Sequence, residues 1–177
     1  MRIDLKTLSV IATCVLGVLT LLGSGSRSFA HDDNAPVAPS AKPAVLSGAP
    51  DDPREVAERF NRALTQGDAA TARALLLPDV LIYESGGIES SAEEYFGHHM
   101  PADMAFLANL KRELLSQTSG GDGAGTWVAT RSRLSGSHKG KAVDLDSTET
   151  LVMRKTPTGW RIAHIHWSSA PHRTSAP

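Results

Sequence analysis

The chain has 177 residues, with 18 Lys and Arg side chains against 19 Asp and Glu, one cysteine and 41% hydrophobic residues. This length fits one domain with appendages, and the near-neutral charge gives no basic face of the kind that nucleic-acid binding needs. The composition also excludes a collagen, a coiled coil and a wholly disordered chain.

The amino-terminal segment carries the pattern of a secretory signal peptide. Two basic residues precede an apolar run at 8–22, and small residues precede a cleavage position after Ala30. The run is shorter than the ~20 residues that a membrane-spanning helix needs. We therefore predict that residues 1–30 are a signal peptide and that the mature protein is periplasmic or secreted, with no membrane contact after cleavage. Cys14 leaves with this segment, so the mature chain is expected to have no disulfide and no thiol ligand.

The remaining chain divides into three predicted parts. Residues 31–51 are rich in Pro and Ala without apolar periodicity, which is typical of a flexible tether. A folded domain is predicted at 52–171, followed by a disordered tail at 172–177.

The domain begins with predicted helices. Asp52 as the cap, Pro53 at the first helical position and Gly67 past the end define the first helix. A second short helix is predicted at 69–77, and a third from about residue 90 to Met100, ending before a proline.

The rest of the domain reads mostly as strands. A first strand is predicted at 80–84, and a run of antiparallel strands follows at 126–134, 143–155 and 160–168. Residues 104–115 are ambiguous, because their local propensity favours a helix. Helices followed by a run of strands indicate an α+β domain with the helices on one face of a curved sheet.

Several segments resemble the nuclear-transport-factor-2-like superfamily: residues 61–68, the strand end at Tyr83 and Glu84, and the closing segment 159–169. Within it, the chain is similar to SnoaL-like domains and, through 148–150, to the association domain of calcium/calmodulin-dependent kinase II. The resemblance implies a cystatin-like α+β cone, in which a strongly curved antiparallel sheet wraps around the N-terminal helices and leaves a pocket at its open end. It also implies pairing of two copies through the sheet.

The same resemblance bears on individual residues. It implies that residues 109–119 form a strand, against their helical propensity. The association domain grips a carboxylate with pocket arginines, of which one matches Arg133, whereas Leu151 and Trp167 occupy two of the other arginine positions.

Strand periodicity adds a second, independent argument about the pocket. Residues i and i+2 of a strand share a face, so Glu149 lies with Leu151, and Ile165 lies with Trp167. If Arg133 also faces the pocket, it meets Glu149 across neighbouring strands. The pair is then either an ion pair that holds the hairpin or a polar anchor that orients a small ligand.

A catalytic role is the alternative for the same pocket. Ketosteroid isomerases and polyketide cyclases of the superfamily use a pocket Asp or His as proton acceptor and a donor for the developing oxyanion. Here Tyr83 and Tyr95 are candidate donors, and Glu84 or His99 candidate acceptors, unless both tyrosines are wall residues. His99 and Asp103 are a further candidate pair for a general base.

A second alternative is a histidine-based metal site. His164 and His166 share the strand face opposite Trp167, and His31, His98 and His99 supply further imidazoles. The competing interpretation is that the strand histidines pack at a sheet face or at a dimer seam.

We predict an exported domain that binds a small organic molecule and forms a homodimer, with no cofactor, no metal and no nucleic-acid partner. An enzyme of the isomerase, cyclase or hydratase type and a periplasmic metal binder remain the alternatives. The predicted ligand-binding residues are Tyr83, Tyr95, His99, Arg133, Glu149 and Trp167.

Overall fold

The computed structural model describes residues 51–173. The predicted signal peptide and almost all of the predicted tether lie outside this range, as does His31. The elements, in chain order, are α1 (Pro53–Gln66), α2 (Ala69–Leu75), β1 (Leu76–Glu84), β2 (Gly87–Glu89), α3 (Ala92–His98), α4 (Met100–Leu107), β3 (Leu110–Asp122), β4 (Gly125–His138), β5 (Lys141–Thr156) and β6 (Gly159–Pro171).

Helix α1 forms where the sequence places its signals. The Asp52 side chain accepts a hydrogen bond from the Arg54 backbone N–H at 2.8 Å, and Gly67 ends the helix in the left-handed conformation at φ 70°. An apolar stripe faces the core and is wholly or almost wholly buried: Val56, Ala57, Phe60, Ala63 and Leu64. Within the described part of the chain, no helix is both long and apolar enough to cross a membrane.

The segment after α3 differs from its prediction. The third helix was expected to end before Pro101, but α4 follows at once, with the proline in its first turn. A proline is tolerated there because the first backbone N–H groups of a helix have no partner within the helix. The chain turns into β3 at Leu110, which confirms the strand that the resemblance implied against local propensity.

The six strands form one curved, unclosed sheet in the order β2-β1-β6-β5-β4-β3. Neighbouring strands are antiparallel, except that β1 pairs with β6 in parallel. The α+β class is confirmed. Strand β6 lies near the middle of the sheet, between β1 and β5.

The core lies between α1 and the inner face of the sheet. From β4 across to β1, this face carries the buried side chains of Val128, Leu151, Ile165 and Ile82. Trp160 belongs to the core and lies next to the start of α1, where its indole N–H donates to the Asp51 carbonyl at 2.9 Å.

The ordered chain continues past the predicted domain end. The backbone N–H of His172 donates to the Asp144 carbonyl at 2.9 Å, and its ring Nδ1 lies 2.9 Å from the Asp146 carboxylate. His172 is therefore bound to β5, beyond the boundary predicted at residue 171.

Candidate functional site

A single row of side chains crosses the inner face of the sheet next to the apolar core. The strand registers align one residue from each of five neighbouring strands, from β3 through β4, β5 and β6 to β1: Gln117, Thr130, Glu149, Trp167 and Glu84. On the core side the next row is almost entirely apolar, and on the other side Ser132 lies opposite Ser147. The inner face thus changes from apolar to polar at this row.

One end of the row is an acidic cluster. Glu84 follows the buried residues Val80 and Ile82 at strand spacing, so its side chain is on the inner face. Glu89 of β2 pairs with Ile82 and is only 6% exposed. Its carboxylate contacts Nδ1 of His99, which lies at the junction of α3 and α4.

Tyr95 and Asp103 complete this cluster from the helices. Tyr95 is fully buried on α3, and its hydroxyl donates to Oδ2 of Asp103 on α4 at 2.9 Å. The two residues are eight positions apart, so the short α3–α4 hairpin is what brings them together.

The electrostatics of the cluster place several pKa values away from their ordinary range. Desolvation, reinforced by the negative charges of Asp103 and Glu89, raises the pKa of Glu84 to about 7, although part of the residue reaches solvent. Desolvation also raises the pKa of Asp103 to about 6, against the opposing effect of the Tyr95 hydrogen bond. The hydrogen bond with Glu89 raises the pKa of His99. Two carboxyl groups therefore exchange protons near neutral pH.

The middle of the row is a buried carboxylate. Glu149 is 7% exposed, and its two oxygens accept from Asn61 Nδ2 at 2.9 Å and from Trp167 Nε1 at 2.8 Å. Burial raises the pKa of Glu149, and these two hydrogen bonds oppose that effect.

Aromatic rings surround the indole of Trp167. The Phe60 ring is nearly parallel to it, with centroids 6.3 Å apart, and the Tyr95 ring is tilted against it at 6.1 Å. Trp167 thus separates the acidic cluster from Glu149 and offers both of them an apolar wall.

Arg133 is not part of this site, which corrects the expectation that it meets Glu149. The register pairs Glu149 with Thr130, three residues away from Arg133, so the arginine points to the opposite, outer face. There its guanidinium forms two hydrogen bonds with Asp144, at 2.8 and 2.9 Å.

Tyr83 also lies on the outer face. It is adjacent in sequence to the inward Glu84, and its ring meets the His164 ring edge-on, with centroids 5.2 Å apart. His164 Nδ1 contacts the Leu81 carbonyl oxygen at 2.8 Å, and His166 pairs with Tyr83 in the sheet. The prediction that these two histidines face away from the interior is confirmed.

Of the six predicted site residues, four reach the inner side: Tyr95, His99, Glu149 and Trp167. The suggested His99–Asp103 bond is replaced by two separate bonds, from His99 to Glu89 and from Tyr95 to Asp103. Sequence reasoning named Glu84 only as a possible acceptor and gave no site role to Glu89, Asn61 or Thr130. Strand spacing from Val80 and Ile82 was the signal that marks Glu84 as inward.

Metal binding has no obvious centre in this part of the molecule. Across residues 51–173, no group of three or more His, Cys, Asp and Glu side chains is arranged to hold a metal ion. The cluster instead offers carboxyl groups that titrate near neutral pH beside a buried tyrosine hydroxyl, an arrangement that binds polar groups and moves protons.

Comparison with known structures shows the same fold. A candidate ketosteroid isomerase from Shewanella frigidimarina is 37% identical, with a TM-score of 0.64, and the match covers 71% of this chain and 98% of that one. A nuclear-transport-factor-2-like protein with a cystatin-like fold from Novosphingobium aromaticivorans is 19% identical, with a TM-score of 0.55 and coverage of 64% and 77%.

The third comparison concerns an assembly domain. The association domain of calcium/calmodulin-dependent kinase II from C. elegans is 19% identical, with a TM-score of 0.54, and the match covers 65% of this chain and 91% of that one. At this identity the likeness shows the fold alone. No curated protein matches the chain. The SnoaL-like domain model matches residues 54–172, so the chain belongs to the SnoaL-like family, with the nuclear-transport-factor-2-like fold.

Proposed function

We propose that this chain binds a small organic molecule on the inner side of its curved sheet, at the open end beside Trp167. The observation that carries the proposal is the acidic cluster of Glu84, Glu89, His99 and Asp103, placed against aromatic walls. Small-molecule sites combine apolar walls with a few convergent polar groups whose pKa values are perturbed, and this arrangement has both.

The proposal is tested by screening a library of small ketones, alcohols, acids and amines for thermal stabilisation and then measuring affinities by calorimetry. Glu84→Gln should weaken binding of the hits at least tenfold, because it removes the negative charge of Glu84 and replaces one of its two acceptor oxygens by a donor. Glu113→Gln is the matched control, since Glu113 is exposed on β3 and pairs with Arg133 on the outer face. Equal affinities in wild type and Glu84→Gln would place the site elsewhere.

A second candidate function is proton-transfer catalysis at the same site. It is favoured by the similarity to a candidate ketosteroid isomerase and by the pKa of Glu84 near 7. In an isomerisation, the Glu84 carboxylate takes a proton from a carbon next to a carbonyl. The Tyr95 hydroxyl donates to the oxyanion that forms after it leaves its hydrogen bond to Asp103, whose carboxyl is then protonated. Glu84 then returns the proton to another carbon, so that the double bond moves and no co-reactant is consumed.

The catalytic candidate is tested with a β,γ-unsaturated ketosteroid, by following the absorbance of the conjugated ketone. We expect turnover by the wild type, a loss of about 10²-fold or more in Glu84→Gln, and no change in Glu113→Gln. A wild-type rate equal to the buffer rate would remove this candidate and leave the binding proposal standing.

We also propose that the protein is exported. The support is the sequence pattern of residues 1–30, which lie outside the described range. The mass of the protein recovered from the periplasm or medium of a bacterial host should correspond to a chain that starts at His31. Recovery of only the uncleaved chain from the cytosol would contradict export.

We also propose that two copies of the chain associate through the outer face of the sheet. The chain shares its fold with an association domain, and the outer face leaves large apolar side chains partly exposed, including Tyr83 (39%), Trp127 (40%) and Val152 (37%). A second copy of the chain would cover these side chains.

A further inference from the structure

The β4–β5 ladder buries two polar side chains directly opposite each other. Thr130 and Glu149 are paired in register on the inner face, and they are only 4% and 7% exposed. The Thr130 hydroxyl has no hydrogen-bond partner among the described residues. A buried hydroxyl without a partner is unusual in a folded protein and points to a group that the pair is built to bind.

Glu149 has unused acceptor capacity, and Arg112, the cation whose charge acts on it, is hydrogen-bonded to another carboxylate. A carboxylate has about four acceptor positions, and only two donors, an amide and an indole, occupy them. The nearest guanidinium, that of Arg112, is bound to Glu58 through two hydrogen bonds of 2.9 and 3.1 Å. The Glu149 charge is therefore hydrogen-bonded but not paired with a cation.

The surroundings favour a positive group over a negative one. The ionisable groups around Trp167 are four carboxyls, those of Glu84, Glu89, Asp103 and Glu149, against the imidazole of His99. The Arg112 guanidinium also acts on Glu149, but its charge is already paired with Glu58. A second anion would meet repulsion from all four, whereas an ammonium group would relieve the repulsion among them. The ring of Trp167, which is only partly buried, would receive the apolar body of such a ligand.

A surface groove along helix α1 shares one wall residue with the surroundings of the pair. This groove, of about 480 Å³, is lined by Glu58, Asn61, Arg62, Thr65, Leu110 and Arg112, and Asn61 also donates to Glu149. A small ligand in this groove is one hydrogen-bonded side chain away from the Thr130–Glu149 pair.

We propose that the small molecule is a primary amine with an apolar body, and that Glu149 and Thr130 together bind its ammonium group. This inference rests on the proposed small-molecule binding and adds the ligand class to it. An ammonium group has three N–H donors, so it satisfies the free acceptor positions of Glu149 and the oxygen of Thr130 at the same time.

The test compares three probes with one aromatic body: 2-phenylethylamine, 2-phenylethanol and phenylacetate. In calorimetric titrations at neutral pH, the amine should bind at least tenfold more tightly than the alcohol, and the acid should bind most weakly. Glu149→Gln should weaken the amine at least tenfold and leave the alcohol within about twofold, while Glu113→Gln changes neither. Tightest binding of the acid or the alcohol would overturn the ammonium proposal.

Thr130→Val gives an independent test, because valine keeps the shape and removes the hydroxyl. We expect the Tm of the ligand-free protein to stay level or rise, since the hydroxyl has no partner to lose, while affinity for the amine falls at least fivefold. A lower Tm with unchanged amine affinity would make Thr130 a structural residue and overturn the proposal. If no member of the broad library binds the wild type, the proposed function itself fails, which is a different outcome from binding of another ligand class.

Discussion

Glu84 is the residue of the inner face on which both proposed functions depend most. It continues the apolar alternation of β1 but carries a carboxyl group into a cluster that already holds Glu89 and Asp103. Folding therefore places this group where ionisation is unfavourable, and the pH at which it ionises moves to about 7.

This shift predicts a pH dependence of stability with a definite sign. A carboxyl whose pKa is raised on folding binds more protons in the folded than in the unfolded state between its unfolded pKa of 4.5 and its folded pKa of about 7. Its contribution to the free energy of unfolding is therefore lost as the pH rises through that window. The Tm of Glu84→Gln minus the Tm of the wild type should increase from pH 5 to pH 8. A Tm difference that does not change with pH would contradict this.

The Tyr95–Asp103 bond predicts a second titration effect. The hydroxyl donates to the ionised carboxylate and stabilises it, so Tyr95→Phe should raise the pKa of Asp103 above its value of about 6. Titration of the Asp103 carboxyl by NMR measures the change. Tyr83→Phe removes the same group from the outer face and should leave the Asp103 pKa where it is.

At the scale of single elements, the N-terminal cap of α1 is expected to contribute to the free energy of unfolding. Asp52→Ala removes the side-chain cap on the Arg54 N–H and should lower the free energy of unfolding by about 1 kcal/mol. Asp51→Ala is the matched control, because the Asp51 carboxylate is exposed and forms only a surface ion pair with Lys155. Denaturant unfolding should show a clearly smaller effect for Asp51→Ala; equal losses would argue against the cap.

The elements differ in how far the sequence predicts them. Helix α1 has a cap, a proline at its first position and a terminal glycine, and its predicted and observed bounds coincide. The segment around Pro101 was predicted less well, because a proline that ends one helix is equally compatible with the first turn of the next. Strand β3 runs against its helical propensity because it pairs along its length with β4.

At the scale of the whole molecule, the outer face of the sheet predicts an association. Trp127 and Val152 are paired in register and both exposed, so two large apolar side chains lie side by side on the outer face. Trp127→Glu should weaken self-association at least tenfold in analytical ultracentrifugation, because a buried charge at an interface centre is costly. Ala105→Glu, at an exposed position of α4, should leave association unchanged. A wild type that sediments as a monomer at all concentrations would refute the proposed dimer.

The inner site shows which contacts strand periodicity predicts and which it does not. Spacing within one strand correctly placed Glu149 with Leu151 and Trp167 with Ile165 on the inner face. The Arg133 expectation failed because it also needed the register between two strands. A shift of one residue moves every side chain to the other face, and the turn geometry at 139–140 fixes that register.

The sequence by itself determined that helices precede a run of strands, the capping of α1 and the face on which a residue of a single strand lies, because these depend on neighbours within a few residues. Only the tertiary structure decided which residues meet: Glu89 with His99, Tyr95 with Asp103, and Thr130 with Glu149. Those contacts join different helices, turns and strands, and they depend on strand register and on the packing of α3 and α4. Local propensity carries no information about either.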